Sequence, residues 1–174
     1  MKTRIIYKKL QQYAVAATDL GHEQVIFANQ LGAKPAKPFI TIALRSFRQV
    51  GTSIKKETDE RGIETNTLFM MATATFQSFS DGLFEASEIL IQLASKFNTE
   101  LPNEIFGSTL ARQRTLQGVT AIPTFIDSQL EHRAIFEVEI GFDSRISHKV
   151  GLIERIELKN LMNDEEIIIQ QGNQ

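Results

Sequence analysis

At 174 residues the chain is long enough for one domain with a sizeable core, or one domain with appendages. Its 19 Lys and Arg against 21 Asp and Glu leave a net charge of -2, so bulk electrostatics recruits neither nucleic acid nor an anionic membrane. There is no cysteine, which removes disulfides, thiolate metal sites and thiol nucleophiles together and fits a reducing compartment.

The basic start Met1-Lys2-Thr3-Arg4 is followed by Lys8, Lys9, Gln11 and Gln12 rather than an apolar run. Neither a signal peptide nor a membrane span is therefore expected. Ile6, Leu10, Tyr13, Ala17 and Leu20 recur at helical steps, predicting a first helix over residues 4–20 with Gly21 just past its end. The apolar run at residues 24–28 suits a short strand, and Pro35 and Pro38 stiffen an extended connection after it.

A long strand starts at Phe39, with Ile40, Ile42 and Leu44 on one face and Thr41, Ala43 and Arg45 on the other. It is expected to run past Val50 to a charged tip at residues 55–62. The return strand, residues 64–79, places Leu68, Met70, Ala72, Ala74 and Phe76 on one parity. The two predict a hairpin arm longer than ordinary strands of about five or six residues. So polar a tip is not buried in its own domain; it stands in solvent or reaches a neighbour.

Ser80-Asp81-Gly82 offers an N-cap to a second helix, whose stripe of Leu83, Ala86, Leu90, Leu93 and Phe97 extends to about Lys96. Pro102 opens a short third helix through Ile105 and Phe106, stopped by Gly107. Residues 112–126 read ambiguously. Val119 and Ala121 suit a strand, and Pro123 confines it to an edge or an end.

The clearest strand covers residues 131–142. Ala134, Phe136, Val138, Ile140 and Phe142 share one parity; Glu137, Glu139 and Gly141 share the other, with Ile135 the apolar exception. One apolar and one wet face argue for an antiparallel sheet with one face open. Asp143-Ser144-Arg145 predicts a break, followed by a last strand over residues 150–158 with Val150, Leu152, Ile156 and Leu158 on one face. The acidic stretch Asp164-Glu165-Glu166 leads into Ile167-Ile168-Ile169, which either pack back on the domain or add a strand to a partner. The order predicts an α+β fold: an antiparallel or mixed sheet, two main helices packed on one face, and a long protruding β-hairpin. Residues 1–160 make the single domain, and residues 161–174 a C-terminal tail suited to contacting a partner.

Candidate chemistry is sparse. There is no phosphate-binding glycine–lysine loop, no dinucleotide turn, no nucleophile elbow and no zinc-binding His-Glu-x-x-His. Ser53-Ile54-Lys55-Lys56 matches a Ser-x-x-Lys pair but lies near the hairpin tip without companion motifs. His22, His132 and His148 are scattered without ligand spacing, so they read as solvated or capping residues rather than a metal site. Glu137 and Glu139, about 7 Å apart on one strand face, imitate a glycosidase carboxylate pair, although neighbours on a wet strand face are ordinarily solvated. The tip from Lys55 to Arg61 mixes signs and lacks interleaved aromatics, unlike a nucleic-acid footprint; it reads as a solvated turn or a subunit contact. Phe69, Phe76, Phe79 and Phe136 read as core. The site assignment is thus none for catalytic, cofactor-binding or metal residues.

Four short stretches stand in a fixed order. Val25-Ile26-Phe27 ends in Ala28-Asn29-Gln30. Pro35-Ala36-Lys37-Pro38 opens onto Phe39-Ile40-Thr41, Glu131-His132-Arg133-Ala134 starts a strand, and Gly151-Leu152-Ile153-Glu154 follows Val150. In kind and order they resemble the phage neck terminator and tail terminator (tail-completion) proteins, small α+β virion proteins of the head–tail junction. The resemblance spans residues 5–158, is least over residues 98–126, and leaves out the tail after Leu161. It implies a structural protein of the virion and not an enzyme, without cofactors. It further implies self-assembly into a homo-oligomeric ring, commonly a hexamer, built in the host cytoplasm. Tail tube and connector proteins would be its partners, and genome DNA would pass through the lumen without specific binding. No membrane partner is implied. The competing reading is a small α+β enzyme or ligand-binding domain with a site assembled from the ambiguous middle segment; another virion or connector component of similar fold is a third.

Overall fold

The computed structural model describes residues 3–28, 33–126 and 129–150, and the backbone of two further strands at residues 155–159 and 166–170. In chain order the elements are α1 (Thr3–Ala17), β1 (Val25–Phe27), β2 (Phe39–Gln49), β3 (Lys55–Thr58) and β4 (Ile63–Ser80). Then come α2 (Leu83–Phe97), α3 (Leu101–Phe106), β5 (Ala111–Ala121), β6 (Thr124–Ile126), β7 (Gln129–Lys149), β8 (Arg155–Lys159) and β9 (Glu166–Gln170).

The fold is α+β. Seven strands form one mixed sheet in the order β1-β2-β4-β7-β5, with β3 also on β4 and β6 also on β7; β8 and β9 form a separate pair. Among the described residues only β1 and β2 run parallel. The central pair is β4 and β7, in unbroken antiparallel register from Ile63 opposite Lys149 to Ser80 opposite His132.

The parity read from the sequence is the parity of burial. Ala72, Ala74 and Phe76 of β4, Ala134, Phe136, Val138 and Ile140 of β7, and Ile40 and Ile42 of β2 are buried beneath the helices. Tyr13 of α1 sits at their meeting point, edge-on to Phe76, Phe97 and Phe106. Its hydroxyl donates to the Leu93 carbonyl at 2.6 Å, and burial pushes the phenol well above its ordinary pKa. Helix ends are tied down by side chains as well. Arg112 donates to the carbonyls of Phe97 and Thr99, both at 2.8 Å, placing a cation at the C-terminus of α2. Lys9 donates to Ile105 of α3 at 2.6 Å.

Several boundaries differ from expectation, each for a local reason. α1 stops at Ala17, where the Thr18 hydroxyl donates back to Ala14, and Gly21 precedes a short 3-10 turn at His22–Gln24 instead of closing the helix. Neither Ser80 nor Asp81 caps α2. Gly82 occupies that position without a side-chain bond, and the Ser80 hydroxyl donates to the Gly82 carbonyl. The first long strand divides: β2 ends at Gln49 and β3 resumes at Lys55, with Gly51 between them at φ 71°. Asp143-Ser144-Arg145 makes no break, because β7 continues to Lys149 against β4, whose register supplies its hydrogen bonds. The arm is therefore three strands wide at its end (β3, β4 and β7), not a two-stranded hairpin. The ambiguous segment resolves into the edge strand β5, with Pro123 in the gap before β6.

The last expected strand shortens to β8, leaving Val150 outside it, and residues 151–154 lie outside the described residues. Ile167, Ile168 and Ile169 pair in β9 with Leu158, Glu157 and Ile156 of the same chain. That ladder spans the division drawn at residue 160.

Phe136 is 1% exposed and packs on Phe76 and Phe97. Phe136→Ala should cost about 3–5 kcal/mol in urea-induced unfolding. A loss under about 1 kcal/mol, the range of surface changes, would contradict its placement.

Candidate functional site

The sheet face opposite the helices carries a row of ion pairs. Glu137 and Glu139 of β7 point to this face, as their parity requires. Arg45 and Arg48 of β2 reach them across β4. Arg45 bonds Glu137, and Arg48 bonds Glu139 at 2.7 Å. From the other flank Arg114 of β5 meets the second oxygen of Glu139 at 3.0 Å. The Thr75 hydroxyl donates to Glu137 at 3.1 Å from the intervening strand. Glu139 thus joins β2, β7 and β5 over the top of β4, its side chain only 8% exposed beneath two arginines.

An irregularity in β2 makes this possible. Arg45 stands opposite Thr73 and Arg48 opposite Met71, so Ser46 and Phe47 together occupy the space facing one residue. Ser46 takes φ 55°, the left-handed conformation of a bulge. Without the extra residue, positions 45 and 48 would fall on opposite faces. Sequence parity found Glu137 and Glu139 and set Arg45 on the face away from Ile40 and Ile42. It missed Arg48, because nothing in Arg45-Ser46-Phe47-Arg48 announces the bulge, and Arg114, which lies in the segment that read ambiguously.

The electrostatics of Glu139 runs opposite to what a general acid needs. The hydrogen bond from Arg48 holds the Glu139 carboxyl below the usual carboxylate range, against the opposing effect of desolvation, and Arg114 adds to the lowering. A glycosidase needs one carboxyl raised so that it can donate a proton. Glu139 is instead held in the ionised form, and Glu137 is bonded to Arg45 and Thr75. Glycine at 141 has its own local reason: a Cβ there would lie 2.4 Å from the Phe69 ring, which covers it. Phe79, assigned to the core, is buried on this same outer face, stacked on Phe39 with Arg133 5.0 Å from its ring centroid.

The end of the arm carries the other candidates. Asp59 accepts from the backbone N–H groups of Ile63 (2.8 Å) and Arg61 (3.0 Å), with Gly62 at φ 69° completing the turn. Those bonds, that of Ile63 foremost, hold the Asp59 carboxyl low. Glu64 is held low chiefly by Lys56 at 2.7 Å, then by Asn66 at 2.9 Å, with His148 3.6 Å away. Lys56 is thus committed to Glu64, not to Ser53, and the Ser-x-x-Lys match has no catalytic geometry. The three histidines are not brought together: His22 lies in the 3-10 turn, His132 near the start of β7 and His148 on the arm. Among the described residues no group of three His, Asp or Glu side chains could hold a metal ion. A shallow groove of about 440 Å³ at the tip is lined by Glu57, Thr58, Asp59, Ile63, Thr65 and Arg145.

What stands out is uncovered surface. Residues 145–149 of β7 are exposed whichever face they point to, as are all four residues of β3. Ile54 (61% exposed) and Ile146 (53%) lie on this arm, while Phe84 (83%) and Ile91 lie on the outer side of α2. Among the described residues no helix is long and apolar enough to cross a membrane. Neither a protein-family model nor a curated protein sequence matches the chain.

The Glu139 clamp has a pH signature. Its carboxyl is depressed in the fold relative to about 4.3 for an unperturbed glutamate, so the unfolded chain binds more protons near that pH. The stabilisation is complete above the unfolded value and is lost as pH falls through the folded one. Glu139→Gln should therefore lower the urea midpoint at pH 7, with the deficit shrinking as pH drops below about 4. A deficit equal at all pH values would separate it from the ionised carboxylate.

Proposed function

We propose that the chain is a structural subunit of a phage head–tail junction, a neck or tail terminator. In this reading its copies close into a homo-oligomeric ring, a hexamer, that caps the tail tube and joins it to the connector. The observation that carries the reading is the three-stranded arm, whose end exposes Ile54 and Ile146 on an element that contributes little to its own core. Exposed apolar side chains on a projecting strand fit a partner surface. The resemblance of the ordered motifs to those of terminator proteins supplies the kind of partner: copies of the same chain, then the tube and the connector.

A ring needs two different contact surfaces per subunit, because head-to-tail contacts close by rotation. The arm provides one and the outer side of α2, with Phe84 and Ile91, is separate from it in the fold. Genome DNA would pass through such a ring, and a lumen without net positive charge avoids arresting it through phosphate contacts.

Light scattering after size-exclusion chromatography, with negative-stain microscopy, tests the reading. Concentration-dependent closed rings are expected, either alone or on isolated tail tubes. A strict monomer under both conditions would overturn it. Deleting residues 166–174 should weaken assembly by tenfold or more, while moving the unfolding midpoint little. Unchanged assembly would remove the C-terminal strand from the interface.

A further inference from the structure

The arm leaves one strand edge unpaired. β5 pairs with β7 between Ala134 and Gly141, and β6 pairs with it between Gln129 and Glu131. Beyond Gly141, β7 is paired on the β4 side alone among the described residues. The alternation of an antiparallel ladder says which groups face outward. On β4 the odd-numbered residues turn their backbone toward β3, since Ile54 N–H donates to the Thr67 carbonyl (2.8 Å) and Asp59 N–H to that of Ile63 (3.0 Å). Even-numbered residues of β4 and β7 therefore bond each other. Asp143, Arg145, Ser147 and Lys149 turn their N–H and C=O groups to the open side, where none has a backbone partner among the described residues. The same parity holds lower down, where Ile122 N–H reaches the Arg133 carbonyl at 2.8 Å.

The last two strands have the converse need. Among the described residues β8 and β9 pair only with each other, and a two-stranded ladder is marginal by itself in water. β8 alternates Arg155, Glu157 and Lys159, charges of the kind that deter pairing at natural edges. β9 runs Ile167-Ile168-Ile169 with no charge between Glu166 and Gln170, so it is the unprotected edge and one of high strand propensity.

Charge sets the direction. Arg145 and Lys149 are exposed and have no ion-pair partner among the described residues. β9 begins at Glu166, directly after Asp164-Glu165 in the sequence. Antiparallel addition brings that acidic start opposite the Lys149 end of β7.

Connectivity then decides which copy supplies β9. Were β9 antiparallel to β7 of its own chain, β8, antiparallel to β9, would run parallel to β7. A parallel return needs a crossover of about a dozen or more residues. Only residues 150–154, five in all, separate Lys149 from Arg155. We infer that β9 of one copy adds antiparallel to residues 143–149 of β7 in the next copy. Donor and recipient edges differ, so each copy gives one strand and takes one, a heterologous contact. The inference rests on the assembly reading above and names the contact that carries it.

The chain has no cysteine, so engineered pairs report on this contact without background. A full-length chain carrying Ser147→Cys is mixed, under mild oxidation, with chains carrying Ile167→Cys, Ile168→Cys or Ile169→Cys. At least one mixture should give a disulfide between unlike chains, since paired strands bring Cα atoms within bonding range. In parallel, Arg145→Pro removes an outward N–H at an edge, where proline is tolerated in the fold. It should weaken assembly at least tenfold beyond Arg145→Ser, which loses the same charge but keeps the N–H, with equal unfolding midpoints. Rings that form without any such cross-link and tolerate Arg145→Pro overturn strand donation and leave the assembly reading standing. Cross-linked open chains support donation and overturn ring closure. Absence of both rings and cross-links overturns both. A doubly substituted chain that closes its disulfide internally at high dilution overturns donation between copies.

Discussion

The antiparallel ladder between β4 and β7 is the constraint on which everything else depends. It runs without interruption from Ile63 opposite Lys149 to Ser80 opposite His132. Over its inner part it has a dry face, where Phe76 and Phe136 meet Tyr13 and Phe97 under the helices, and a charged face, where Glu137 and Glu139 stand. Over its outer part it has no helix above it and becomes the arm. One pairing register thus specifies the core, the charged face and the protrusion. A slip of one residue would exchange the two faces of the whole strand, which the buried phenylalanines oppose.

The ion pairs on the open face tie neighbouring strands to that ladder. A surface ion pair in water contributes little alone. Here a single carboxylate is shared by arginines from β2 and β5, and it is covered by them, so the three strands are held in one arrangement. The cost is local: Ser46 sits in a conformation that residues with a Cβ disfavour. The result is a sheet cross-tied on one face and covered by helices on the other, with the arm extending beyond it.

The base is cross-tied by ion pairs, and the arm leaves a strand edge open among the described residues. Backbone edges left without partners are normally shielded, because they template unwanted pairing. Such an edge remains at residues 143–149 of β7 among the described residues, and the same chain carries an unshielded isoleucine run in β9. Affinity from backbone hydrogen bonds with direction from end charges is a common way for strands to join across subunits. Asp59, Glu64 and Glu139 are each held ionised by neighbouring donors.

Whatever depends on periodicity was legible before folding. Alternation over Ala134 to Phe142 specified the strand and its buried face, and the stripes of α1 and α2 specified helices whose cores are Tyr13 and Leu90. Gly107 marked the end of α3, and Pro123 confined its segment to an edge. What only the tertiary structure decided are features that hang on a partner strand. Asp143-Ser144-Arg145 has the composition of a turn, yet it stays extended because β4 lies alongside to bond it. The bulge at Ser46 and Phe47 has no signature of its own, yet it turns Arg48 toward Glu139. Side-chain period is a property of one strand and can be read along the chain. Register, bulges and the length over which two strands stay paired are properties of two, and the second strand enters only in three dimensions.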